Sequence, residues 1–133
     1  MNAAGEVRAR GQCLCGAVRY EIAGPLRDVV LCHCAMCRRV HGHIGAYTAA
    51  AKADLRLTEA RGLAWYRSSG VAQRGFCAGC GSALFWQRDA ADVVSITAGS
   101  LDAPTGLRIA QQIYVASAGD YYAIDRDIPC RLQ

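Results

Sequence analysis

The chain has 133 residues, of which 53% are hydrophobic and 20% charged, a composition that fits one globular domain over residues 1–133 and excludes a disordered chain. The formal net charge is +4, and no basic block is longer than Arg38-Arg39, which argues against a nucleic-acid partner. No apolar stretch approaches the roughly 18 residues of a membrane span, and residues 1–6 lack the features of a secretion signal.

Alternating apolar and polar side chains, together with short apolar or β-branched runs, predict many short strands. In chain order, the expected strands lie at 17–22, 28–31, 44–50, 55–58, 63–67, 71–76, 83–86, 93–97 and 113–116. Residues 35–40 are expected to form one helical turn that Gly42 ends, residues 1–10 a loose terminus, and residues 121–133 an irregular tail. With no convincing long amphipathic helix, the pattern indicates a mainly β domain.

The eight cysteines are many for this length, and seven of them fall into three tight groups: Cys13/Cys15, Cys32/Cys34/Cys37 and Cys77/Cys80. Short clustered spacings are typical of metal sites rather than of the disulfide frameworks of secreted proteins, so we expect a reducing cytoplasm and bound zinc.

Two of these groups can share one metal ion. Cys77 and Cys80 have the C-x-x-C spacing that reaches a single tetrahedral ion, and Cys13 and Cys15 can supply the other two ligands. Four thiolates make a closed site, whose role is structural. Buried free thiols or a C-x-x-C redox pair are the alternative for the same residues.

The third group, Cys32, Cys34 and Cys37, has only three thiols. Three thiolates leave the fourth position of a zinc ion open for water, a substrate thiol or a carbonyl oxygen, which suits attack of a thiol on a small aldehyde. Arg38 and Arg39 follow directly, and they are candidates for contacts with a substrate carboxylate. Their other interpretation is a solvated pair that offsets the charge of the thiolates.

Other residues are candidates for the fourth position of this second metal. His41 and His43 follow the group after a predicted turn, and either would convert the site into a closed structural one. Cys130, the one cysteine outside the groups, is a further candidate. His33 lies between two of the cysteines, and in an extended segment its side chain points the other way.

Several motifs follow one another over about residues 11–129: Gly11-x-Cys13-x-Cys15-Gly16, Cys32-His33-Cys34-x-x-Cys37-Arg38-Arg39, Arg74-x-Phe76-Cys77-x-x-Cys80-Gly81 and Gly99-x-Leu101-Asp102-x-Pro104. In this order they resemble the glutathione-dependent formaldehyde-activating enzyme family, also called the CENP-V/GFA family. The resemblance implies an Mss4-like fold of hairpin-rich antiparallel sheets with zinc-stapled loops. It also implies a structural zinc at Cys13, Cys15, Cys77 and Cys80, and a second, labile zinc at Cys32, Cys34 and Cys37.

The activity that the resemblance implies is condensation of glutathione with formaldehyde to S-hydroxymethylglutathione, a carbon–sulfur lyase reaction. The chain departs from the family at Gln112, where relatives commonly have His, at Tyr121 or Tyr122, where they have Trp, and at His43 and Ile44. These departures leave room for another thiol or aldehyde as substrate.

Two further interpretations are kept. The first is a non-enzymatic zinc module that binds a protein or a nucleic acid. The second is a thiol site without metal, for redox or formaldehyde sensing, which predicts one zinc ion per chain instead of two.

Overall fold

The computed structural model describes residues 6–133, and most of its regular structure is β-strand. Its helix α1 spans Ala35–His41. The strands are β1 Ala9–Gln12, β2 Arg19–Ile22, β3 Val29–Cys32, β4 Gly45–Ala51, β5 Leu55–Glu59, β6 Leu63–Arg67, β7 Ala72–Cys77, β8 Ala83–Arg88, β9 Val93–Thr97 and β10 Ile109–Ile113.

The strands form two sheets. The smaller has the order β1-β2-β5, and the larger has the order β10-β3-β4-β9-β8-β7-β6. Neighbouring strands pair antiparallel except β10, which runs parallel to β3. The predicted mainly β, Mss4-like fold with antiparallel sheets and little helix is confirmed.

Residues of both sheets form the core. Tyr20 and Ile22 of β2 are buried and alternate with the more exposed Arg19 and Glu21, as the period of two predicted. They pack in one cluster with buried side chains of β8 and β9, among them Phe85, whose ring meets the Tyr20 ring edge-on at 5.5 Å. Burial raises the pKa of Tyr20 to about 12, and its hydroxyl makes a 2.7 Å hydrogen bond with Ser100 Oγ.

Helix α1 begins and ends close to the predicted residues. Cys34 caps its N-terminus, since the Cys34 sulfur accepts a hydrogen bond from the Cys37 backbone N–H, and the helix ends at His41, immediately before Gly42. Within residues 6–133 no helix is long and apolar enough to cross a membrane.

The prediction for the last strand is wrong. A strand was expected at 113–116, but β10 ends at Ile113, and residues 115–117 form a 3-10 turn. Tyr114 has a φ of 56°, in the left-handed region, so the extended conformation cannot continue through it. β10 instead begins earlier, because residues 109–113 pair with β3.

The N-terminal prediction is partly outside the described residues. Residues 1–5 of the expected loose terminus are not described, whereas Ala9 and Arg10 belong to β1 and pair with Ile22 and Glu21. The irregular tail is confirmed, apart from an isolated bridge that joins Gln112 to Cys130.

The close contact of β1 with β2 predicts a sensitivity at Gly11. A methyl group added there would meet the Tyr20 hydroxyl and lie 2.5 Å from the Ser100 carbonyl oxygen, a backbone atom that cannot rotate away. We expect Gly11→Ala to lower the free energy of unfolding by about 1–3 kcal/mol, the usual cost of overpacking.

Denaturant unfolding of the zinc-loaded protein measures this effect. Gly70→Ala is the matched control, because nothing lies within 4 Å of the added methyl group. Equal stabilities of the two variants would contradict the predicted contact.

Candidate metal centres and substrate pockets

Four sulfur atoms from two turns meet at the first cysteine group. Cys13 and Cys15 lie between β1 and β2, and Cys77 and Cys80 lie where β7 turns into β8. Their Sγ atoms all lie within 4.8 Å of one another, so the structure brings together the four residues that the spacing predicted.

The backbone around this group suits thiolate ligands. The Val18 backbone N–H donates to Cys13 Sγ at 3.3 Å, and Ser82 Oγ lies 3.2 Å from Cys80 Sγ. Gly16 and Gly81, which follow the two pairs, have φ values of 83° and 81°, a conformation that other residues adopt at a cost. Four thiols in two tight turns are the donor set of a closed, tetrahedral zinc site, and the residues present fit that metal.

The second group comes from one continuous segment. Cys32 ends β3, Cys34 caps α1 and Cys37 lies in its first turn, and their three Sγ atoms also lie within 4.8 Å of one another. Hydrogen bonds from Cys32 and Cys34, together with Arg74, lower the pKa of the Cys37 thiol to about 6. Three thiols with a readily formed thiolate also fit a zinc ion.

The two candidate histidines for the fourth position are both hydrogen-bonded to tyrosines. His41 Nε2 lies 2.7 Å from Tyr47 Oη, and His43 Nδ1 lies 2.7 Å from Tyr121 Oη. Cys130 donates to the Ile128 carbonyl at 3.1 Å. In the described part of the chain, the second group therefore contains three cysteines and none of these candidates.

A chain of hydrogen bonds links the second group to β7 and β4, and sequence reasoning gave its members Arg74 and Tyr47 no role. Arg74 is buried, with Nη2 3.8 Å from Cys37 Sγ and Nη1 3.1 Å from Tyr47 Oη. Because arginine only donates, the Tyr47 hydroxyl accepts from Arg74, and its own proton is available for His41 Nε2. Burial, and then the charge of Arg74, lower the pKa of His41, consistent with a neutral ring. The available signal was the position of Arg74 in the motif that leads to Cys77.

The arginines chosen from the sequence lie on α1. Arg39 is exposed, whereas Arg38 is half-buried and its Nε has no hydrogen-bond partner among residues 6–133. Neither makes an ion pair within that range. Contact with a substrate carboxylate stays a prediction for both.

His33 joins the second group to the C-terminal tail. It is 1% exposed, with Nδ1 2.8 Å from Tyr122 Oη and Nε2 2.8 Å from Gln112 Oε1. Gln112 Nε2 donates to the Asp125 carbonyl at 2.9 Å, so its Oε1 faces His33 and accepts from Nε2–H. Both ring nitrogens of His33 are therefore engaged in hydrogen bonds. The tail thus fixes the peptide between two candidate ligands.

Two cavities lie near the cysteine groups. The larger, of about 490 Å³, extends from Cys13 to His41 and has Ser82, Thr97 and Ser100 in its walls. The smaller, of about 270 Å³, is lined by Tyr47 and Arg74. Both include Ala83, so they lie beside the same strand, β8.

The two-sheet β fold and the two groups of cysteines that can hold metal ions are typical of metal-binding β proteins. The chain belongs to the glutathione-dependent formaldehyde-activating enzyme family, whose sequence profile matches residues 8–117. The tail residue Tyr122 therefore lies beyond the matched region.

One solved structure supports the same fold. A crystal structure of a Rhodobacter sphaeroides protein, a Northeast Structural Genomics target, is 26% identical and covers 91% of this chain and 98% of its own, with a TM-score of 0.61. No curated protein matches the chain significantly.

Mutations in the two cysteine groups are expected to differ in their effects on zinc content and stability. Cys77→Ser removes a fully buried ligand of the group that joins the sheets, so we expect loss of one zinc ion and of cooperative thermal unfolding. Cys37→Ser is expected to reduce the metal content from two zinc ions to one, with the β-sheet circular dichroism retained.

Metal analysis together with thermal melts measures both variants. Cys130→Ser is the control, since Cys130 belongs to neither group. Identical losses of metal and stability in the first two variants would contradict the division into a structural and a labile site.

The contact of His33 with the tail predicts an effect on the second metal alone. Tyr122→Phe leaves His33 Nδ1 without its hydrogen bond and frees the peptide between Cys32 and Cys34. Partners that orient metal ligands are worth about 10–100-fold in metal affinity, so we expect a loss of about tenfold at this site.

Competition with a chromophoric zinc chelator measures that affinity. Tyr114→Phe, which alters a partly exposed tyrosine in another segment, is the control. An unchanged affinity in Tyr122→Phe would show that the tail does not position the ligands.

Proposed function

We propose that the protein joins a thiol such as glutathione to formaldehyde or another small aldehyde, as a zinc-dependent enzyme of the carbon–sulfur lyase type. Membership of the glutathione-dependent formaldehyde-activating enzyme family supports this chemistry at the level of the family. The observation that carries the proposal is the contrast between the two groups, one with four thiols and the other with three.

The contrast supports different roles for the metals that the two groups could hold. Cys13, Cys15, Cys77 and Cys80 would hold a structural zinc, and Cys32, Cys34 and Cys37 a second, labile one with a position for a substrate. When bound there, zinc supplies Lewis acidity and a lowered thiol pKa. Cysteines grouped as metal ligands favour a reducing compartment such as the cytoplasm.

The reaction requires one new bond and two proton movements. The thiol gives up its proton, its sulfur bonds to the carbonyl carbon, and the π electrons of the carbonyl move to the oxygen, which takes up a proton. The product is an S-hydroxymethyl thioether, with no change in the oxidation state of the combined atoms.

Residues of the chain would bind and orient the reactants. The cavity of about 490 Å³ beside His41 has a volume typical of small-molecule sites, about 300–1,000 Å³. Its walls contain Ser82, Thr97 and Ser100, whose hydroxyls can hydrogen-bond a small polar reactant such as the aldehyde. Tyr47 fixes the His41 ring, so that Nδ1–H of its neutral form is the ring donor left for another partner.

Exchange NMR tests the proposed activity. With glutathione and formaldehyde mixed at equilibrium, the zinc-loaded protein should increase the exchange rate between free glutathione and S-hydroxymethylglutathione above the spontaneous rate. Cys34→Ser, which removes a ligand of the second group, should return the rate to that background.

The folded state and the first metal of the Cys34→Ser variant are verified in the same sample by circular dichroism and metal analysis. A wild-type rate equal to the background, for glutathione and for a panel of other small thiols, would refute the proposal and favour a zinc module that binds a macromolecule.

A further inference from the structure

Arg74 of β7 is a buried arginine that forms no ion pair with a carboxylate among residues 6–133. It is only 7% exposed. Its Nε is buried and has no hydrogen-bond partner in that part of the chain. A buried cation is costly unless anionic or hydrogen-bonding groups surround it, which favours an anion beside the guanidinium group.

The two terminal nitrogens of Arg74 are held in place from one side. Nη1 donates to Tyr47 Oη at 3.1 Å, and Nη2 donates to Cys37 Sγ at 3.8 Å. Each uses only one of its N–H groups in these contacts. The guanidinium group is therefore oriented before any ligand binds, and it retains donors for a second planar partner.

The cavity of about 270 Å³ gives such a ligand a place to bind. Its described walls are otherwise apolar or aromatic, with Val40, Tyr66, Phe76 and Phe85 among them, and Arg74 is the one charged residue of 6–133 that lines it. An apolar cavity with a single oriented cation fits an organic molecule that carries a carboxylate.

We infer that Arg74 binds the carboxylate of a carboxylate-bearing thiol in this cavity, beside the second cysteine group. The inference rests on the proposed function for the thiol, but the binding step itself requires no reaction. The contact between Arg74 and Cys37 Sγ places the proposed carboxylate site next to the second cysteine group.

Arg74 also lies where its charge offsets the charge of the thiolates. Three thiolates and one divalent zinc ion carry a net negative charge, which a neighbouring cation neutralises. If this were its entire role, replacing Arg74 would affect retention of the second zinc ion and would leave any preference for carboxylates unchanged. The two roles therefore have separate readouts.

Calorimetric titration with S-methylglutathione and with its diethyl ester tests the inference. The methylated sulfur prevents the thiol reaction, and the ester removes the carboxylate charges. The zinc-loaded wild type is expected to bind the acid at least about tenfold more tightly than the ester, since charge-assisted bidentate contacts are strong. Arg74→Gln should abolish that difference, and Arg74→Lys should restore part of it.

Arg88→Gln is the matched control, because Arg88 is an exposed arginine of the neighbouring strand β8. It should keep the wild-type preference for the acid. Zinc content is measured for every variant, so that loss of the metal is distinguished from loss of the carboxylate contact.

Three results would overturn the inference: no binding of S-methylglutathione by the wild type, equal affinities for acid and ester, or an unchanged preference in Arg74→Gln. The comparison of acid and ester needs only the wild type, so it stands even if a variant fails to fold. An Arg74-dependent preference without exchange activity would refute the proposed function alone, whereas activity without the preference would refute this inference alone.

Discussion

The meeting of two turns at the first cysteine group is the contact on which the rest of the structure depends. The turn with Cys13 and Cys15 belongs to the three-stranded sheet, and the turn with Cys77 and Cys80 belongs to the seven-stranded sheet. Drawing the four sulfurs within 4.8 Å of one another fixes the two sheets relative to each other at one end of the core. In a chain of this size, metal binding at such a group contributes directly to folding.

The second group has a different architecture, because its three cysteines come from one short segment and depend on neighbours for their orientation. Arg74 and Tyr47 contact it from the large sheet, and His33 links it to the tail through Gln112 and Tyr122. Within residues 6–133, these contacts position the three thiols but do not supply a fourth metal ligand. A group that is positioned but not closed fits a site that binds and releases substrates.

The cysteine groups and many of the strands could be predicted because their signals are local. Short spacings pair Cys77 with Cys80, and β6 and β9 match the expected ranges. The end of β10 could not be predicted, since it depends on the left-handed conformation of Tyr114 and on pairing with β3. The contact of Arg74 with Cys37 could not be predicted either, because the two residues lie 37 positions apart in the sequence and meet only in the folded sheet. Two of the hydrogen bonds between tyrosines and histidines also join distant parts of the sequence, so they could not be predicted.

The central claim is that the second group holds zinc through three sulfurs and leaves one position for a substrate. Zinc K-edge X-ray absorption of protein with both sites loaded tests it most directly. The account predicts seven cysteine sulfurs shared by two zinc ions, one light-atom ligand without an imidazole signature, and a gain of one sulfur when glutathione is added. An imidazole signature, or a sulfur count that glutathione leaves unchanged, would contradict it.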